Sequence, residues 1–256
     1  MTKTEADKQP NKQSGPIVVL PLGATEQHGP HLPFETDTII AQGVAERVGQ
    51  KLPAGLDVRF LPAEEVGYSP EHLHVPGTKS LRYDEAVERW IGIGASLSKA
   101  GVRRLVFLNA HGGNSPLMTI VATELRLRLK MLAVATSWTR FALPEGVISP
   151  EEKAIGIHGG LVETAVMLAL RPDLVDMDNA RDFPSKQSHF ISRFSHLRAY
   201  GPHAFGWLMS DLSPDGVVGN AAAATPELGN RILDHAADGF VDLLDDVARF
   251  DLAAFD

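Results

Sequence analysis

The sequence predicts an α/β fold in which a parallel sheet is covered by helices on both faces. Between Ile17 and Thr136, short apolar runs alternate with longer segments of helical periodicity. Strands and helices that alternate in this way form parallel sheets through right-handed crossovers. The chain has 256 residues, of which 44% are hydrophobic, and shows neither an internal repeat nor a linker-like composition. We therefore predict a single domain over residues 16–256.

The individual elements follow from the spacing of the apolar residues. Four short apolar runs predict strands over Ile17–Leu20, Val58–Leu61, Leu105–Leu108 and Leu132–Thr136, and the first is expected to end at Pro21. Helical spacing predicts helices over Thr38–Leu52, Tyr83–Lys99, Pro116–Lys130 and Leu161–Leu170, and a last helix that begins at Thr225. Residues 139–157 are expected to be irregular, and residues 176–224 to be rich in loops.

Composition narrows the class of protein. The formal net charge is -8 and no long Lys/Arg run occurs, so neither a nucleic-acid partner nor a membrane partner is favoured. The first fifteen residues are polar and lack an apolar core, which predicts a disordered tail over residues 1–15 and a cytoplasmic protein. The chain has no cysteine, so a bound metal would rest on histidines and carboxylates, a ligand set that suits Zn, Mn or Fe.

The stretch Thr25–Asp37 follows the first predicted strand and carries potential metal ligands. Glu26 and His28 are two residues apart, which places both side chains on one side of an extended backbone. Asp37 follows a turn-rich segment that can fold its carboxylate back over the pair. Open α/β sheets bind ligands at the carboxyl ends of their strands, which is where this stretch begins. On these residues alone, a polar loop with surface histidines is the competing interpretation.

A second ligand-type residue follows the third predicted strand. His111 precedes the glycines Gly112 and Gly113 at the start of a helix, so it should lie beside Glu26 and His28, with room for a ligand to approach the backbone. The same glycines could instead present backbone N–H groups to a phosphate. Neither glycine-rich fingerprint of nucleotide-binding proteins occurs, which favours the metal.

An isolated carboxylate, Glu163, interrupts the apolar run Leu161–Leu170. Burying it without a partner would be costly, so it either faces solvent or pairs with a cation or metal. His158 lies five residues earlier, at the entrance to the same helix, where its imidazole can reach the same pocket.

Three motifs together resemble the creatininase (creatinine amidohydrolase) family. They are LGATEQHGPHLP at Leu22–Pro33, NAHGGN at Asn109–Asn114 and HGGLVET at His158–Thr164. Supporting segments are Glu71-His72 followed by Val75–Thr78, and Ala224–Gly229. The resemblance runs from about residue 17 to about residue 240.

This resemblance implies a three-layer α/β/α sandwich with a mostly parallel sheet, usually assembled as a hexamer. It also implies a binuclear site of two divalent metal ions per chain that hydrolyses an amide C–N bond. By position, Glu26, His28, Asp37 and His111 match metal ligands, with Asp37 as the bridge. His158 is the expected catalytic group that protonates the leaving nitrogen.

The chain departs from creatininase itself at Gly113, where that enzyme has a glutamate ligand. We therefore expect Glu163 to supply the missing ligand and to take part in catalysis, and creatinine is not the expected substrate. Candidate substrate-binding residues are Glu71, His72, Tyr68, Gly112, Gly113 and Trp138. Glu71 and His72 could equally form a hydrogen-bonded loop clasp, and the aromatic residues could simply pack.

The expected function is metal-dependent hydrolysis of a small-molecule amide, of the lactam or formamide type, by a homo-oligomer. One alternative is a peptidase that trims a short peptide during cofactor maturation. An alternative of another class is a non-catalytic binder of a sugar phosphate or nucleotide at the glycine turn.

Overall fold

A four-stranded parallel sheet with strand order β2-β1-β3-β4 forms the centre of the protein. The computed structural model describes residues 15–255, so the predicted N-terminal tail lies outside the described residues except for Gly15. The strands are β1 (Ile17–Leu22), β2 (Val58–Phe60), β3 (Arg104–Asn109) and β4 (Leu132–Ser137). The central pair, β1 and β3, is aligned over its full length, so both strands end at the same edge of the sheet. The predicted parallel α/β sheet is confirmed.

Helices cover both faces of this sheet. They are α1 (Thr36–Lys51), α2 (Tyr83–Lys99), α3 (Ser115–Leu129), α4 (Pro150–Ile155), α5 (Leu161–Leu170), α6 (Gln187–Arg193), α7 (Met209–Leu212) and α8 (Pro226–Arg249). Alternate side chains of β1 point to opposite faces. Ile17 and Val19 join the core formed with α1, α5 and α8, whereas Val18 and Leu20 join the core formed with α2 and α3. These are the three layers of an α/β/α sandwich.

Helix α8 packs closely against α5. The Thr225 hydroxyl accepts the Leu228 N–H at 3.2 Å and caps the start of α8, as the sequence predicts. Any side chain at Gly229 would collide with the backbone carbonyl of Ala165. The absence of a side chain at this position lets α8 lie directly on the backbone of α5.

Two sequence expectations about local structure are wrong. Strand β1 does not end at Pro21 but continues to Leu22, and the Pro21 carbonyl accepts the N–H of Glu64 at 3.0 Å. The segment 139–157 is not wholly irregular, because it contains α4. The Ser149 hydroxyl accepts the N–H of Glu152 at 3.1 Å, and Pro150 occupies the first helical position, where its fixed φ is favourable.

A short antiparallel ribbon, β5 (Asp182–Phe183) with β6 (Gly219–Asn220), lies within the loop-rich region. Across residues 15–255, no helix combines the length and the apolar character needed to cross a lipid bilayer.

Candidate metal centre

The metal-ligand candidates converge at the carboxyl edge of the sheet. Glu26 and His28 follow β1, Asp37 lies in the first turn of α1, His111 follows β3, and Glu163 lies in the first turn of α5. The first four are at most 4% exposed, and the side chain of Glu163 is 15% exposed. Residues from four separate segments therefore meet in one buried cluster.

Among the described residues, four groups of three could hold an ion: Glu26, His28 and His158 form one, Glu26, Glu71 and His72 form another, and the remaining two share Asp37. In one of these last two groups, Nε2 of His28 lies 3.2 Å from Oδ1 of Asp37 and 3.8 Å from Oε2 of Glu163. In the other, Nδ1 of His111 lies 3.2 Å from Oδ2 of Asp37 and 3.2 Å from Oε1 of Glu26. The atoms within each group are close enough to hold a metal ion.

The buried carboxylates fit a divalent cation. Within the described residues, both oxygens of Glu26 and Oδ2 of Asp37 are buried without a hydrogen-bond partner. Buried polar atoms are rarely left in this state, and a divalent cation bound between these carboxylates would satisfy their oxygens. Together with the two histidines, they form the mixed imidazole and carboxylate ligand set that suits Zn, Mn or Fe.

Backbone carbonyls orient both ligand-type histidines. Nδ1 of His28 donates to the carbonyl of Glu26 at 3.0 Å, and Nε2 of His111 donates to the carbonyl of Tyr68 at 2.9 Å. In each ring the other nitrogen faces the carboxylates and is the one available to a metal. Partners of this kind fix the tautomer and the ring orientation of metal-ligating histidines.

Electrostatic coupling distributes protons unevenly across the cluster. Burial opposes the charge on His28, but the attraction of Asp37 outweighs it and raises the pKa of His28 to about 9. Burial raises the pKa of Glu163 to about 7. Burial also disfavours the charged form of Glu26, yet the adjacent His111 holds the pKa of that carboxyl well below its usual value. Binding of a cation would therefore displace protons from groups such as His28 and Glu163, in addition to any water.

His158 lies beside this cluster as a neutral base. Its Nε2 donates to the carbonyl of Gln27 at 2.8 Å, so Nδ1 faces Oε1 of Glu26 at 3.6 Å. Burial, followed by the nearby imidazoles of His28 and His72, holds the pKa of His158 well below its usual value. At neutral pH the ring is therefore unprotonated, and the lone pair of Nδ1 faces the cluster.

His72 also faces the cluster, and Gln27 fixes its tautomer. The Gln27 amide donates to the carbonyl of Gly216 at 2.5 Å and accepts the N–H of Gly29 at 2.8 Å, which sets its orientation. Its nitrogen therefore donates to Nδ1 of His72 at 3.0 Å. The proton of neutral His72 lies on Nε2, 3.5 Å from Oε1 of Glu26. His72 is therefore held by a hydrogen bond between two loops and also lies in the wall of the site.

Glu71 occupies the space beside Gly113. Any side chain at Gly113 would collide with the carbonyl of Tyr68, and its Cβ would lie 3.0 Å from Oε1 of Glu71. That oxygen is 3.8 Å from Nε2 of His111. The phenol ring of Tyr68 packs in the core of α2 and α3, so this residue contributes its backbone and not its side chain to the site.

A cavity of 330 Å³ opens above the cluster. Its walls contain Glu26, Asp37, Glu71, His72, His111, Gly112, Gly113, His158 and Glu163, together with Ala110, Ile157, Tyr200 and Trp207. Trp138 is not in this wall but lines a neighbouring cavity of 480 Å³. The sequence left open whether Trp207 and the loop after residue 180, which contains Tyr200, line a pocket or simply pack. It assigned neither residue to the site, because isolated aromatic residues in a long loop carry no periodic signal.

Sequence reasoning also missed Glu152, a buried carboxylate next to the site. It is 7% exposed and accepts the N–H of Leu161 at 3.1 Å and the N–H of Asn220 at 2.9 Å. It thereby anchors the start of α5, the helix that carries Glu163. The capping pattern from Ser149 to Glu152 was the available local signal.

The fold and the site define the class of the protein: an α/β/α sandwich with a candidate metal centre of histidines and carboxylates at the carboxyl edge of its parallel sheet. Comparison with known proteins identifies the family. The sequence matches the creatininase family model, described as creatinine amidohydrolase, over residues 1–244. The chain belongs to the creatininase family.

Two relatives of known function and one solved structure are similar over most of their length. The mycofactocin precursor peptide peptidase of Mycolicibacterium smegmatis is 32% identical over 229 residues, covering 89% of this chain and 83% of that protein. The creatinine amidohydrolase of Pseudomonas putida is 30% identical over 245 residues, covering 89% and 88%. A structure described as "Creatininase Mn" superposes with a TM-score of 0.72 at 29% identity and covers 90% of each chain.

Proposed function

We propose that this protein is a metal-dependent amidohydrolase that cleaves the C–N bond of a small-molecule amide. The observation that carries the proposal is the pair of ligand groups that share Asp37, in a chain of the creatininase family. His28, Asp37 and Glu163 would hold one divalent ion, and Glu26, Asp37 and His111 a second. Zn, Mn and Fe all suit these ligands.

Divalent ions bound here would supply a water of lowered pKa and would polarise the amide carbonyl. The chain supplies the proton transfers. Nδ1 of His158 accepts a proton from the attacking water and delivers it to the leaving nitrogen, because its pKa keeps it neutral and Nε2 is held by the Gln27 carbonyl. Nε2–H of His72 lies on the same side and can donate to a substrate oxygen.

The cavity charge disfavours the alternative of a sugar-phosphate or nucleotide binder. The glycine turn that would hold the phosphate shares its cavity with the carboxylates of Glu26, Asp37 and Glu71. Without a cation, these carboxylates repel an anionic ligand. Binding of a phosphate ligand that survives EDTA treatment and the Glu26→Ala change would favour this alternative.

A peptide substrate is the second candidate, since one relative at 32% identity is a peptide peptidase. A panel of short peptides tested beside a panel of lactams and formamides separates the two. Exclusive cleavage of the non-peptide amides excludes the peptidase, and exclusive cleavage of peptides excludes the small-amide hydrolase.

Metal analysis with a matched variant tests the proposal. We expect the purified protein to contain about two ions per chain, and Asp37→Asn to lose both the metal and the turnover because Asp37 belongs to both groups. Asp57→Asn, at an exposed acid outside the cluster, is the control and should retain both. Full activity of metal-free protein would exclude the proposal.

A further inference from the structure

A second cavity adjoins the metal cluster and is larger than the cavity above it. Its volume is 480 Å³, against 330 Å³ for the cavity that contains the ligand cluster. The two cavities share Ile157, His158 and Glu163 as walls. The second cavity, which we call the side chamber, therefore adjoins the metal cavity at these three residues.

The inner wall of the side chamber is apolar. It is formed by Trp138, Leu143, Ile148 and Val162, which are buried or half-buried, and by Ile157 at the boundary with the metal cavity. Its charged lining residues are Glu145 and Lys153, which are both exposed, and Glu163, which lies at the boundary with the metal cavity. Removing apolar surface of a ligand from water is favourable in such an enclosure, and an uncompensated charge would be disfavoured there.

The position of His158 sets which half of a substrate enters the chamber. His158 forms part of the shared wall, and under the proposed function it delivers the proton to the leaving nitrogen. The group attached to that nitrogen therefore lies on the His158 side, next to the chamber. The glycine turn Gly112–Gly113 lines only the metal cavity, where the acyl half would remain.

Resting on the proposed function, we infer that the side chamber binds a bulky apolar substituent on the amine half of the substrate. The substrate class is then a secondary amide with a small acyl group and a large apolar amine. A small lactam or a simple formamide would leave the chamber unfilled. A cavity of this volume is in the range that ordinary ligands occupy.

Three amides test the inference on metal-loaded protein. N-(2-phenylethyl)formamide carries the apolar group on the amine, N-methylformamide lacks it, and N-methyl-3-phenylpropanamide carries it on the acyl side. We expect kcat/KM for the first to exceed that for the other two by at least about tenfold, the effect of burying one aromatic group. Equal values, or a preference for the acyl-substituted amide, would overturn the inference.

Variants that fill the chamber provide the matched comparison. Ile148→Trp and Thr139→Trp place an indole in the chamber from two different segments of its wall, so a folding defect of one leaves the other informative. Both should remove most of the advantage of N-(2-phenylethyl)formamide and leave N-methylformamide within about twofold. Ile120→Trp, at a half-exposed position on α3, should change neither rate. Equal losses for both formamides in both chamber variants would contradict the inference.

Binding measurements separate this inference from the proposed function. If the metal-loaded protein cleaves no amide, the proposed function fails, and the affinities of the two formamides are compared by ligand-observed NMR. An affinity about tenfold higher for N-(2-phenylethyl)formamide that is lost in Ile148→Trp or Thr139→Trp supports the chamber on its own. An affinity unchanged in both variants overturns it.

Discussion

Nδ1 of His158 lies 3.6 Å from Oε1 of Glu26, while Nε2 of the same ring is held by a backbone carbonyl. The ring therefore has one fixed nitrogen and one open nitrogen that faces the cluster. Under the proposed function this neutral imidazole carries protons for the cluster. It belongs to neither group that shares Asp37, but it forms a further group with Glu26 and His28.

We predict that His158→Gln lowers kcat by about 10²- to 10⁴-fold, the usual contribution of general acid–base catalysis. With the ions in the two groups that share Asp37, as proposed, the metal content should stay near that of the wild type, because neither group includes His158. Steady-state kinetics and metal analysis measure the two effects. His189→Gln, at an exposed histidine of α6, is the control. Unchanged kcat in His158→Gln would rule out the assigned role.

Metal affinity should rise with pH between about pH 6 and pH 8. Below pH 9 the ion must displace a proton from His28, whose pKa is about 9, and below pH 7 also from Glu163, whose pKa is about 7. Raising the pH removes this competition from protons, so the metal affinity increases with pH. Calorimetric titration in two buffers of different ionisation enthalpy should detect release of about one proton or more per chain near pH 7. A pH-independent affinity would contradict the assigned ligands.

The adjacent glycines Gly112 and Gly113 should respond differently to alanine. Gly113→Ala forces the new methyl group against the Tyr68 carbonyl, so it should lower the free energy of unfolding by about 1–3 kcal/mol and weaken metal binding by displacing His111. Gly112→Ala is the matched control, because a Cβ there meets no atom within 4 Å. Urea unfolding and metal titration measure the difference, and equal behaviour of the two variants would refute the close packing at Gly113.

Glu152 should stabilise the start of α5 through its two backbone N–H partners. Glu152→Ala leaves the N–H groups of Leu161 and Asn220 without an acceptor, at a cost of about 1–3 kcal/mol for each group. Glu152→Gln keeps one acceptor oxygen and should fall between Glu152→Ala and the wild type in the free energy of unfolding. Glu151→Ala, at the exposed neighbouring residue, should have little effect. Urea unfolding should show this order, and a stable Glu152→Ala protein would contradict the anchor.

The sequence predicted those parts of the site that depend on strand ends. Parallel strands share a carboxyl edge, so residues placed directly after β1 and β3 had to meet, as Glu26, His28 and His111 do. The apolar run around Glu163 left two interpretations open: its carboxylate either faces solvent or pairs with a cation or metal. The structure places this carboxylate beside His28 and Asp37.

Contacts between distant segments were not predictable from local pattern. Gln27 reaches the carbonyl of Gly216, and Glu152 reaches the N–H of Asn220, across long stretches of chain. Side chains whose partners are backbone groups of another segment leave no periodic trace in the sequence. Tyr200 and Trp207 reach the cavity from loops whose paths depend on tertiary packing alone.

The backbone contact at Gly229 bears on the time at which the protein acquires its metal during synthesis. All the ligand-type residues precede α8 in the chain, but α1 and α5, which carry Asp37 and Glu163, pack against α8. A nascent chain that has emerged only as far as α5 has every ligand but lacks the layer that holds two of them in place. Under the proposed function, ion capture should therefore follow emergence of α8 from the ribosome.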